Sequence, residues 1–200
     1  MTALTQAAPP YSFIALVDGA APAAMARLIG MRGAAVLPLS SADRASRNRF
    51  ATALDRLVQE VDDSAVLIAN GAACFAAAWW SRLSPAGYVE RVAGAILIEP
   101  DDRRASGPMT RAALRDGFAS PACPLPFPAI VVAADGAARA SGLADEWGAR
   151  LLPGLVEDAP RSMTARARLM IDRLTAAVVE RDIERARRMA MRGTAGERRG

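Results

Sequence analysis

The stretch "VLIANGAACFAAAWW", Val66 to Trp80, combines a run of apolar residues, a turn of small residues and the start of a helix. Strand, sharp turn and helix form the joint on which a nucleophilic serine is mounted in the G-x-S-x-G pattern, where small flanks let neighbouring backbone approach closely. Here the turn reads Asn70-Gly71-Ala72-Ala73, with Gly71 where the reactive oxygen would stand. The chain also contains no histidine, which removes the side chain that most often serves as general base near neutral pH. Ser-His-Asp and Cys-His mechanisms are therefore excluded within this chain, as are imidazole-ligated metal sites.

Other groups could substitute. Cys74 falls in the first turn of the helix, where the helix N-terminus can lower a thiol pKa; with no base beside it, a buried structural thiol is the reading that carries more weight. Asp18, Asp135, Glu157 and Asp158 could gather as a carboxylate site for a divalent cation, but their spacing matches no cation-binding loop, so no metal and no cofactor are expected. The N–H groups of Ala72 and Ala73 point out of a helix N-terminus, which suits a small anionic ligand such as a carboxylate or phosphate. The plainer use of "GAACFAAA" is tight packing of a helix onto a sheet.

These residues need a scaffold. Apolar runs of strand length lie at Phe13–Val17, Ala34–Leu37, Ala65–Ala69, Ala93–Ile98 and Ala129–Ala134, and read as central strands buried on both faces. Between them, helices are expected at about Ala23–Gly30, Arg47–Val61, Ala73–Leu83 and Ala138–Ala149, the second with a stripe of Phe50, Leu54, Leu57 and Val61 that would cover a sheet. Strands alternating with helices imply a mostly parallel sheet between helical layers, an α/β/α sandwich. Residues 101–128 break the alternation with charges and prolines and follow a strand's C-terminal end. There they suggest a plain surface crossover, or as the alternative a lid over the ligand-binding edge, with a short helix around Thr110–Asp116.

The chain has 200 residues and is 52% hydrophobic and 23% charged, the composition of a globular domain. The expected organisation is a short leader over 1–11, one domain over 12–180 and an arginine-rich end over 181–200. No apolar run approaches the length needed to cross a bilayer, and "MTALTQAAPPYS" lacks the pattern of a secretory signal, so a cytoplasmic protein is expected. Its two cysteines make no disulfide framework.

Every basic residue is arginine, and from residue 181 onward seven arginines face three acids, so the tail carries the whole formal net charge of +4. Arg181, Arg185, Arg188 and Arg192 could meet an acidic partner or an anionic surface; equally, they pair with Glu180, Asp182 and Glu184 on a solvated helix end. Nucleic acid is not expected, because no aromatic residues accompany the arginines to stack on bases. Met163, Ala167, Met170, Leu174, Ala177 and Val178 form a stripe that closes the fold as a long final helix. That helix could pair with a second copy, although this stripe is too irregular to define a coiled coil.

The chain resembles the small single-domain serine hydrolases of the YdeN or retinoblastoma-binding-protein-nine type, in the α/β-hydrolase superfamily. The resemblance rests on "NRFATALDRLVQEV" before the turn, on "ANGAACFAAAWW" in place of an "AHSLGC" turn and tryptophan-bearing helix, and on "GAILIEP" at 94–100. It continues with "LPFPAIVVAA" at 125–134 and Trp147-Gly148-Ala149, and covers roughly residues 12 to 155. It implies an α/β-hydrolase fold and a site at the turn. Departures fall on the chemistry. The family's serine corresponds to Gly71, and Asp135 stands about two positions early for its acid. Its histidine would fall near Glu157–Ala159, where there is none, and its glycine-rich oxyanion loop has become Asp18-Gly19-Ala20-Ala21-Pro22. Loss of nucleophile and base together implies a catalytically inactive relative that works by binding a protein or a small ligand. A residual hydrolase using Cys74 or a carboxylate-bound metal, and a subunit docking through its arginine-rich helix, are the alternatives.

Overall fold

A computed structural model of the chain describes residues 11–18, 25–26, 34–62, 64–100, 116–119, 123–133, 138–153, 169–181, 183–184 and 186–187. Its centre is a six-stranded sheet of β1 (Tyr11–Val17), β2 (Ala35–Pro38), β3 (Ser64–Asn70), β4 (Val92–Ile98), β5 (Ala129–Ala133) and β6 (Arg150–Pro153). The spatial order is β2-β1-β3-β4-β5-β6, and every neighbouring pair is parallel. The helices are α1 (Arg44–Glu60), α2 (Ala72–Leu83), the short α3 (Ala86–Val89), α4 (Ala138–Trp147) and a C-terminal α5 over 169–181, with helical residues again at 183–184 and 186–187.

Side chains alternate across a strand, and in β1, β3, β4 and β5 both sets are apolar. Ile14, Leu16, Leu67, Leu97 and Val131 face one layer, where they pack with Phe50 and Leu54 of α1, the alanines of α2 and Trp147 of α4. Phe13, Ala15, Val66, Ile68, Ile96 and Ile130 face the other, where Met170, Ile171, Leu174 and Val178 of α5 cover them. This is a three-layer α/β/α sandwich, as the sequence implies. The sheet and α5 are in close contact at Gly94, where a Cβ would stand 2.8 Å from both Leu174 Cδ1 and the Pro128 carbonyl oxygen.

Three local expectations change. β2 is largely exposed, because it is an edge strand with a partner on one side only; a four-residue apolar run does not tell edge from centre. The buried stripe of α1 is Ser46, Phe50, Leu54 and Val58, while Leu57 and Val61 are partly buried beside it; a strict four-residue step holds one line along the helix. β6 follows α4 after one turn and was not expected, since "RLLP" is too short to show a period. Of the helix expected at Ala23–Gly30 only Met25 and Ala26 are described, both helical, and of that at Thr110–Asp116 only Asp116.

Polar bonds tie the helical layer. Asp43 caps α1, its Oδ1 accepting the Ser46 N–H at 2.9 Å. Trp80 Nε1 donates to Asp55 Oδ1 at 2.7 Å, joining the buried heart of α2 to α1.

Candidate functional site

In an open parallel sheet, ligands bind beyond the C-terminal ends of the strands where the strand order reverses. In this order the reversal lies between β1, whose chain goes on to β2 on one side, and β3 on the other. The residues that end those strands are Asp18 and Asn70-Gly71.

β3 passes into α2 through Gly71 alone, which serves as N-cap with φ 54° and ψ −124°. This is backbone that L-residues rarely adopt and glycine takes freely. Gly71 N–H donates to the Ile98 carbonyl of β4 at 3.1 Å, and its own carbonyl accepts Cys74 N–H at 3.3 Å. The turn is therefore tight, as the sequence pointed to, and the structure adds its left-handed backbone at Gly71. A Cβ on residue 71 would have Asp18 Oδ2 as its nearest neighbour, at 3.5 Å, so a side chain fits the space although the backbone disfavours one.

Asp18 bonds the turn twice. Its N–H donates to Asn70 Oδ1 at 3.4 Å, and its Oδ2 accepts the Ala72 N–H at 3.3 Å. Gly71 has no side chain to cap α2, so a carboxylate from the end of β1 takes a donor that the helix leaves open, where negative charge is also favoured by the helix dipole. In a nucleophile elbow this N–H, from the residue after the nucleophile, is an oxyanion donor. Here the chain's own carboxylate occupies it, and an external anion would have to displace Asp18.

Ala72, Ala73 and Cys74 are fully buried, and Asn70 is buried. Cys74 donates its S–H to the Ile98 carbonyl at 3.7 Å. Burial pushes its thiol well above the usual range, and the Ile98 contact offsets only part of that; it is a packed thiol, not a thiolate. Both cysteines are free. Gly19, Ala20, Asp135, Glu157 and Asp158 lie outside the described residues, as do Arg185, Arg188 and Arg192. Among the described residues no three acidic or cysteine side chains gather as a metal site. Arg181 donates to the Pro126 carbonyl, anchoring α5 to the loop before β5.

One residue of this edge escaped the sequence reading. Glu99, directly after β4, has φ 45° and donates its N–H to the Val132 carbonyl at 2.6 Å. Positive φ in a non-glycine residue is uncommon, and nothing in "LIEP" announces it.

The sheet order, the left-handed turn and its place beside β1 define a protein of the α/β-hydrolase fold. The serine hydrolase family profile matches residues 34–155, and the chain belongs to that family. Two solved structures share its fold: a YdeN-like hydrolase from Pectobacterium atrosepticum, 21% identical, covering 72% of this chain and 77% of its own with a TM-score of 0.51, and an esterase from Pyrobaculum calidifontis, 14% identical, covering 84% and 77% with a TM-score of 0.56. No curated protein matches the chain at a significant level. Among the described residues no helix is long and apolar enough to cross a membrane.

Proposed function

We infer that this protein is a serine-hydrolase scaffold without hydrolytic chemistry, working in the cytoplasm by binding a protein or a small ligand. One observation carries the reading: the apex of the elbow is Gly71, with the Ala72 N–H beside it already bonded to Asp18. The apex offers no nucleophile and the full sequence no histidine to activate one, and loss of either from a triad costs orders of magnitude in rate. Cys74 gives no substitute, being buried and protonated.

What persists is a stiff joint at the strand-order reversal. With its anion position filled from within, the surface that this edge presents suits a partner that reads shape more than one that must supply a carboxylate. Two free cysteines agree with a reducing compartment. Turnover of short p-nitrophenyl esters by the purified chain tests the reading. The expected rate equals that of buffer, and turnover that disappears when Asp18 or Cys74 is replaced would overturn it.

A further inference from the structure

The C-terminal helix α5 carries two apolar stripes. One, Met170, Ile171, Leu174 and Val178, is buried on the sheet. At about 100° per residue, a second lies on the opposite side: Leu169, Asp172, Ala176, Val179, Ile183 and Ala186, all exposed and spaced alternately three and four residues apart, the step of a helix-pairing seam. Leu169, Val179 and Ile183 leave 49%, 50% and 47% of their surface in solvent. Only Asp172 interrupts the apolar character.

The charges along this seam decide what covers it. Among the described exposed residues, Asp172, Glu180 and Glu184 face Arg173 and Arg187, so this face is not a basic surface for nucleic acid or anionic lipid. It is complementary to itself in one orientation. In an antiparallel pair centred between 177 and 178, Ala176 of each copy meets Val179 of the other, and Leu169 meets Ala186. Asp172 meets Ile183, whose methyl groups pack on the aspartate stem while the carboxylate turns to the rim. Arg173 then flanks Glu180 of the second copy, and Asp172 comes within reach of its Arg187. A parallel pair would instead set Asp172 against Asp172. Glu180 pairs with Arg150 of its own chain at 3.7 Å, so Arg173 of the second copy would join an existing exposed ion pair.

We propose that the protein is a homodimer formed by antiparallel pairing of α5 about a two-fold axis. The surface lies on the sheet layer opposite α2, so the proposal stands apart from the reading of the elbow. Two-fold symmetry repeats each contact, so single reversals act twice.

Sedimentation equilibrium of the full chain at high micromolar concentration tests it. The wild type should have the mass of two chains, and the Val179→Glu/Ile183→Glu variant that of one, with unchanged far-ultraviolet circular dichroism. Arg173→Glu alone and Glu180→Arg alone should each weaken pairing about tenfold, and the two together should restore it. A wild type with the mass of one chain would overturn the proposal and leave the face to a different partner. So would a dimer that survives Val179→Glu/Ile183→Glu, or a double reversal that fails to restore pairing.

Discussion

Asp18 and Ala72 stand 54 positions apart in sequence, yet the carboxylate of the first accepts the backbone N–H of the second at 3.3 Å. The contact joins the end of β1 to the start of α2 across the place where the strand order reverses. It follows from Gly71: a glycine cap supplies no oxygen, and the neighbouring strand does. Asp18→Ala should therefore lower stability by about 1 kcal/mol, as loss of an N-cap side chain does. Asp18→Asn should lower it less, since the amide oxygen still accepts. Thermal unfolding of the two variants checks the order.

Gly71→Ser restores the residue type that the family has at the apex. Its Cβ meets nothing nearer than 3.5 Å, but φ 54° is costly for a side-chain-bearing residue, by about 1–3 kcal/mol. The variant should fold, melt lower than the wild type, and still release no p-nitrophenol from esters, because one serine without a base completes no triad.

Cys74 should be silent in the folded protein. It is fully buried with a raised thiol pKa, whereas Cys123 is partly exposed. Iodoacetamide followed by peptide mass spectrometry should find Cys123 alkylated and Cys74 untouched until denaturant is added.

Gly94→Ala should be among the most destabilising single-methyl changes. The new Cβ would lie 2.8 Å from both Leu174 Cδ1, which can rotate away, and the Pro128 carbonyl oxygen. That oxygen is backbone and accepts the Ala95 N–H at 2.9 Å, so the approach of β5 to β4 must give. Overpacking of this kind costs about 1–3 kcal/mol. Urea unfolding should show a lower midpoint.

Asp43 sets an acid-side dependence. The Ser46 backbone N–H, then the Ser46 and Ser41 hydroxyls, hold its carboxyl well below the usual carboxylate range. A pKa lower in the folded than in the unfolded state stabilises above the unfolded value near 3.8, and that contribution fades as pH falls below it toward the folded value. Asp43→Ala should lower the melting temperature at pH 7, and the gap to the wild type should narrow as the pH falls below 4.

The central strands were legible because β1, β3, β4 and β5 are apolar on both faces, and the elbow because Gly71 sits between a strand pattern and an alanine-rich helix. The Asp18–Ala72 bond was not: nothing local to either residue shows that their strands are neighbours. Val58 is buried where Leu57 and Val61 were expected because packing against the sheet selects one line of α1, and Val61 already lies past the helix end in extended backbone. The outward seam of α5 was hidden in the same way, since the buried stripe of that helix accounts for its hydrophobicity unless both faces are followed separately.

The central claim, that the elbow holds no reactive group, is tested most directly by intact-mass spectrometry of the purified wild-type chain after incubation with a fluorophosphonate probe. The account predicts an unchanged mass. A shift by one probe adduct at stoichiometric yield in the folded protein, absent after heat denaturation, would contradict it.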